Sequence, residues 1–283
     1  MSVMDEARAA ARRRAARVVF PELAEPRVAE AAARLTAEGL CLAVPLAEPS
    51  EAQVAALVEA RGMAEGMARR LLRKPLMRAA AMVAAGEADA MVAGADAPTR
   101  RVIEAAAMGI GLAEGIAAPS SFFLMRLRDG REMIWADCAV TVAPDAEGLA
   151  AIAQASAASA RRLLGRAEVA LLSFSTGTSG TGPSVDAVRA AAEATGFAGP
   201  VQADAALDPE VGRRKGVAVE AVNVLVFPSL DAGNIAYKLA QELAGAQAVG
   251  PVLQGFRRPV CDLSRGARVD DIVDAAVITC ALA

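Results

Sequence analysis

Val169–Thr195 reads VALLSFSTGTSGTGPSVDAVRAAAEAT, and this stretch decides the fold. Its opening run, Val169 to Ser173, is apolar without the alternation of a half-exposed strand, as expected of a strand covered on both faces. Gly177, Gly180 and Gly182 then interrupt the pattern amid Ser175, Thr176, Thr178, Ser179 and Thr181. From Val185 to Thr195 the apolar residues return at helical spacing. Buried strand, glycine-rich loop and helix make half of a βαβ unit, which implies a parallel sheet with helices laid on it. Ligands in open α/β sheets bind at such loops, so Ser175 and Thr176 are candidate substrate contacts. A plain flexible surface loop is the competing account. The segment is not a Walker loop, because no Lys-Ser or Lys-Thr follows the glycines.

The same alternation extends in both directions. Towards the N-terminus, the pattern predicts a strand at Arg17–Phe20 ended by Pro21 and a helix over Arg27–Ala37. A weak strand at Cys41–Pro45, helices at Glu51–Ala60 and Met77–Ala85, a strand at Ala88–Val92 and a helix opening at Thr99 follow. Phe122–Met125 and Met133–Val140 read as strands joined by a turn at Asp129-Gly130, and Asp145 as the cap of a helix reaching Leu164. Beyond the opening stretch come a strand at Pro200–Ala203, a helix at Pro209–Arg214, a strand at Asn223–Phe227 and a helix over Asp231–Leu243. Gly233 and Asn234 stand in the first turn of that last helix. A glycine there costs about 1 kcal/mol relative to alanine, which signals close approach of the backbone to a ligand or a neighbouring element. Asn234 is a candidate substrate contact on that ground. Asp137 interrupts an apolar strand and needs a partner if buried, with a structural ion pair favoured over catalysis.

The composition bounds the function. The 283 residues are 55% hydrophobic but only 3% aromatic, a core of small aliphatic side chains that suits helices on a parallel sheet. No apolar run approaches the ~20 residues of a membrane-spanning helix. Asp5 and Glu6 sit among the N-terminal arginines, so an amphipathic first helix is expected there rather than a transit sequence. A net charge of −3 gives no support for nucleic-acid binding. Of the 30 basic residues only Lys74, Lys215 and Lys238 are lysine, so the arginine preference is chain-wide and each arginine needs a local argument. Cys41, Cys138, Cys261 and Cys280 are scattered, which predicts reduced thiols and a cytoplasmic protein. The chain contains no histidine. That removes Ser-His-Asp and Cys-His hydrolases, histidine general bases and histidine-ligated metal sites, and no metal site is expected.

Against that background Gly250–Val273, GPVLQGFRRPVCDLSRGARVDDIV, carries the chemistry. Asp262-Leu263-Ser264-Arg265 is followed by Gly266 and then by the acidic helix start Asp270-Asp271. A loop running into a helix N-terminus favours anions. Arg265 offers a guanidinium fork to phosphate oxygens, Ser264 a hydroxyl to a developing oxyanion, and Asp271 a proton acceptor. The alternative makes Ser264 and Asp271 capping groups and Arg265 a solvated surface charge.

These segments together resemble the phosphate acetyl/butyryltransferase family over nearly the whole chain. The resemblance rests on FPELAEPR (20–27), GEADAMVAGA (86–95), WADCAV with APD (135–145), LLSFST (171–176), VQADAAL (201–207), NVLVFPSLDAGNIAYKLAQ (223–241), GPVLQG (250–255) and DLSRG (262–266). It implies reversible acetyl transfer between coenzyme A and inorganic phosphate, with CoA as a substrate and no cofactor. It also implies two three-layer α/β/α domains around a cleft, similar to isocitrate and isopropylmalate dehydrogenases, in a homodimer. Residues 1–113 and 252–283 would form one domain and 114–251 the other.

By the same resemblance Ser264 stabilises the transition state, Arg265 holds the phosphoryl group and Asp271 takes the CoA thiol proton. Arg27 matches a further cleft arginine, and Arg61 another in a shortened setting. The family's phosphate-binding arginine after Gly94-Ala95 falls on Glu104 here, and Arg100 or Arg101 stands one turn earlier. Gly177 and Cys261 also depart from the family's lysine and asparagine. The alternatives are a phosphate butyryltransferase and a non-catalytic acyl-CoA-sensing module.

Overall fold

The computed structural model describes residues 2–217 and 220–283. The chain divides into two compact units, Met1–Pro119 with Gly250–Ala283, and Ser120–Val249.

The first unit opens with α1 (Val3–Arg14), where the Ser2 hydroxyl accepts the Asp5 N–H at the helix start. β1 (Arg17–Val19), α2 (Pro26–Ala37), β2 (Leu42–Val44), α3 (Glu51–Arg61), α4 (Glu65–Leu71), α5 (Pro75–Ala84), β3 (Ala90–Ala93) and α6 (Thr99–Gly109) follow. The second unit contains β4 (Ser120–Arg126), β5 (Glu132–Ala136), α7 (Ala146–Leu164), β6 (Val169–Leu172), α8 (Pro183–Thr195) and β7 (Ala198–Val201). It continues through α9 (Ala203–Leu207), α10 (Pro209–Arg214), β8 (Val224–Val226) and α11 (Leu230–Ala244). β9 (Gln247–Gln254) carries the chain back, and β10 (Val260–Asp262) and α12 (Val269–Leu282) complete the first unit.

Within the first unit the strands lie in the order β2-β1-β3-β10-β9. The first four are mutually parallel and β9 is antiparallel to β10. Parallel pairing puts the carboxyl ends of β1, β3 and β10 on one edge, so the segments after Val19, Ala93 and Asp262 emerge together. α12 packs against both α1 and α2, α3, α5 and α6 pack with one another, and both α5 and α12 touch β3. Every residue of β3 is buried, as its unbroken apolar sequence requires.

The second unit orders its strands β4-β5-β8-β6-β7, antiparallel only at β4–β5. Phe123, Met125, Met133, Leu225 and Phe227 fill part of its core, and the Phe123 ring stacks on Tyr237 at 4.3 Å. The α/β class expected from Val169–Thr195 is present, with helices on both sides of the strands.

Several expectations need correction. β5 stops at Ala136 rather than Val140, because the buried Asp137 carboxylate turns the chain by accepting the N–H groups of Ala139, Val140 and Thr141 at 2.9–3.2 Å. Its further partner is the Ser121 hydroxyl, so hydrogen bonds rather than an ion pair satisfy it. Residue 203 opens α9 instead of ending a strand. Gly233 is close-packed against another element: a Cβ there would meet the Asp137 carbonyl and, at 3.0 Å, the Cys138 sulfur. Elements α4, β9 and β10 do not stand out in the sequence, where their apolar patterns are short or mixed with glycine and proline.

Candidate active site

Three segments at the carboxyl edge of the first unit's parallel strands build the site. After β1, the Glu22 carboxylate accepts four successive backbone N–H groups of the β3–α6 loop: Gly94 at 2.7 Å, Ala95 at 2.9 Å, Asp96 at 3.2 Å and Ala97 at 2.7 Å. Successive N–H groups converging in this way form an anion-binding nest, here filled by the protein's own carboxylate. A cavity of about 1120 Å³ lies beside it, lined by Glu22, Glu25, Lys74, Leu76, Asp96, Arg100, Arg101, Glu104 and Met108 among others.

Arg27, in the first turn of α2, spends its guanidinium on the protein itself. Nε donates to Glu25 at 2.8 Å, holding that carboxyl below its ordinary pKa. Nη1 donates to the carbonyls of Arg265 (3.0 Å) and Ala267 (2.6 Å), and Nη2 to that of Ala95 (3.3 Å). Arg27 therefore ties α2 to both other segments of the site.

Beyond β10, Leu263 donates its N–H to the Ala93 carbonyl at 2.6 Å, the last tie before the chain leaves the sheet. Ser264 and Arg265 are exposed, and the Ser264 hydroxyl oxygen accepts the Gly266 N–H at 3.3 Å. Among the described residues, neither Arg265 nor Arg101 has a hydrogen-bond or ion-pair partner for its guanidinium. Arg100 does, with Nε 2.7 Å from the Glu104 carboxylate one turn along α6. Asp271 accepts the Arg268 N–H at 2.9 Å and so caps α12 while remaining about one-third exposed.

The other expected residues are engaged within their own units. Arg61 ends α3 and donates to the Met108 carbonyl of α6 at 3.2 Å, a tie between helices. In the second unit, Ser175 is fully buried and its hydroxyl oxygen accepts the Gly180 N–H at 2.8 Å. The Thr176 hydroxyl accepts the Gln202 N–H at 3.1 Å, and the Asn234 side chain donates to the Cys138 carbonyl at 3.0 Å. The Ser175 bond stays within its own loop, the Thr176 bond reaches the end of β7, and the Asn234 bond reaches the segment after β5. Phe174, by contrast, is 66% exposed on the same glycine-rich segment.

Glu22 and Asp262 are the residues that sequence reasoning passes over. Asp262 is buried at the end of β10, where burial is the main cause lifting its carboxyl to about 7. The Thr99 hydrogen bond opposes that rise and the Glu22 charge adds to it. An acid inside the apolar run Pro259–Leu263 is the available signal, since such a group must find a partner. Among the described residues no three His, Cys, Asp or Glu side chains gather as a metal set, and no helix is long and apolar enough to cross a membrane.

The sequence profile of the family described as "Phosphate acetyl/butaryl transferase" matches residues 48–280. A phosphate acetyltransferase of Paracoccus denitrificans is 41% identical, the match covering 99% of this chain and 98% of the relative. A second phosphate acetyltransferase, from Pseudomonas aeruginosa, is 40% identical over 93% of this chain but only 43% of its own length. The crystal structure of a phosphotransacetylase from Streptococcus pyogenes superposes with a TM-score of 0.91 at 34% identity, covering 99% of this chain and 97% of that one.

Proposed function

Because the chain belongs to the phosphate acetyl/butyryltransferase family, we propose that it transfers an acetyl group reversibly between coenzyme A and inorganic phosphate. The observation that carries this reading is the pairing of Ser264 with an exposed Arg265, whose guanidinium has no partner among the described residues, where three parallel strands end. Asp271 accepts the CoA thiol proton, a modest task for a carboxylate because a thiol ionises at about 8.5. The thiolate adds to the acetyl phosphate carbonyl, Ser264 donates to the oxyanion that forms, and Arg265 holds the phosphoryl oxygens. Collapse breaks the carbon–oxygen bond, releasing phosphate and leaving acetyl-CoA.

Arg101 supplies a second cation for phosphate, with Arg100 available if it leaves Glu104. Arg27 holds the Ser264–Ala267 segment from behind. Arg61 enters the proposed substrate-binding set through the resemblance, Ser175 and Thr176 through their place on the loop between β6 and α8, and Asn234 through its place in the first turn of α11; the bonds these side chains make support the segments that carry them. CoA is a substrate and no cofactor is required.

The same reading makes the units three-layer domains of isocitrate-dehydrogenase-like topology and the protein a cytoplasmic homodimer. Its free, buried cysteines agree with a reducing compartment. Ile235, Leu239 and Leu243, exposed at successive turns of α11, supply an apolar stripe for the partner copy.

The test is phosphate-dependent formation of acetyl phosphate from acetyl-CoA by the purified protein, with butyryl-CoA in competition to set the acyl length. Absence of turnover with acetyl, propionyl and butyryl substrates overturns the enzymatic reading. Acetyl-CoA binding without turnover instead selects a sensing module, which the Arg100–Glu104 pair favours.

A further inference from the structure

Asp262 plays no part in the transfer chemistry above, yet it is a carboxyl buried at the end of β10. One carboxylate oxygen, Oδ2, accepts the Thr99 hydroxyl at 2.6 Å. The other, Oδ1, is buried with no donor among the described residues. It lies against Gly94, whose φ of +106° is open to glycine and whose missing side chain leaves room for the strand end: a Cβ there would stand 2.7 Å from the Leu263 nitrogen. The charged neighbour acting on it is the Glu22 carboxylate, the Cys261 thiol adjoins it on β10, and α6 presents the Thr99 hydroxyl.

A buried carboxyl with one oxygen unsatisfied is a poor way to stabilise a fold. An apolar residue would avoid the cost. What the carboxyl does achieve is a link between two places. Thr99 is the first residue of α6, the turn that carries Arg100 and Arg101, and Pro98 ahead of it supplies no side-chain cap. Asp262 is two residues before Ser264. The main chain repeats the tie through Leu263 and Ala93, but that bond reaches only the end of β3.

We propose that Asp262 is a positioning residue which, through the Thr99 hydroxyl, holds the α6 arginines in register with the Ser264-Arg265 segment so that both meet one phosphate group. This rests on the acetyl-transfer reading and deepens it by naming what keeps the phosphate contacts together. A short, part-buried hydrogen bond serves because, among the described residues, no other side chain of α6 fixes one segment to the other.

The experiment compares Thr99→Val, Thr99→Ser, Asp262→Ala and Asp262→Asn with the unmodified chain. Steady-state kinetics would be measured in varied phosphate, with phosphate binding followed independently by calorimetry. Thr99→Val and Asp262→Ala are expected to raise the phosphate KM and Kd by about tenfold or more, as misplacement of a binding group does, while the acetyl-CoA KM moves little. Thr99→Ser keeps the hydroxyl and Asp262→Asn keeps an acceptor oxygen, and both are expected to recover most of the phosphate affinity. A merely structural role would lower apparent kcat through loss of folded protein and leave the phosphate KM unchanged, and that result overturns the proposal. Equal phosphate affinity in Thr99→Val and Thr99→Ser overturns it too, even if Asp262→Ala fails to fold. If the unmodified chain binds phosphate but does not turn over, the acetyl-transfer reading falls while the calorimetric comparison still decides the role of Asp262. Failure to bind phosphate at all overturns both.

Discussion

Arg265 and Arg27 meet around one short segment but do opposite work. Arg27 donates to three carbonyls and a carboxylate, so its charge is consumed in holding backbone. Arg265 has no protein partner for its guanidinium among the described residues and remains available to an anion. Arg265→Ala is therefore expected to raise the phosphate KM and to lower kcat by about 10²–10³, the usual cost of one transition-state donor. Initial-rate kinetics in varied phosphate checks this, and unchanged constants would remove Arg265 from the mechanism. Asp271→Asn keeps a cap for the Arg268 N–H but cannot take a proton, so kcat falls while the phosphate KM holds. A variant with the parent kcat would show that Asp271 caps α12 and nothing more.

At the scale of elements, the site depends on how closely the β3–α6 loop approaches the end of β10. Gly94 permits that approach both by its positive φ and by lacking a Cβ. Gly94→Ala must shift Leu263 or the loop, and is expected to cost about 1–3 kcal/mol of stability, read from urea unfolding. A stability equal to the parent's would mean that the loop yields freely. Glu22 acts on the same loop from the other side. Glu22→Gln weakens four charge-assisted bonds at once, and faster amide exchange at residues 94–97 would report it.

For the molecule as a whole, Asp262 gives a pH dependence whose sign can be worked out. Its carboxyl titrates at about 7 in the folded chain and at about 3.9 when unfolded. Between those values the native state binds more protons than the unfolded state, so this group's contribution to stability declines as pH rises from about 4 to about 7, then levels off. A tenfold difference in proton affinity between the two states is worth about 1.4 kcal/mol. Asp262→Asn should thus be more stable than the parent at pH 8, with the advantage shrinking towards pH 4. Melting temperatures of the pair across that range decide it, since differencing cancels carboxylates such as Asp89 and Glu25 that shift the opposite way. A constant difference would contradict the elevated titration of Asp262.

The α/β class and most strands and helices were legible in the chain because they depend on local order, whereas Ser264 and Arg265 read locally as well as a capped helix start with a surface charge as they do as a phosphate site. Apolar runs bounded by glycine and proline mark strands, helical spacing marks helices, and the absence of histidine narrows the chemistry whatever the fold. Partnership was not legible. Whether Arg27 faces a ligand or a carbonyl, whether Gly233 meets a substrate or a neighbouring loop, and that Glu22 fills the nest at Gly94–Ala97 all depend on segments brought together by strand order. Glu22 lies 72 residues from Gly94 and Asp262 lies 163 from Thr99. Periodicity says which face of an element is buried, but only parallel pairing of β1, β3 and β10 places their carboxyl ends side by side and thereby chooses the partner of each charge.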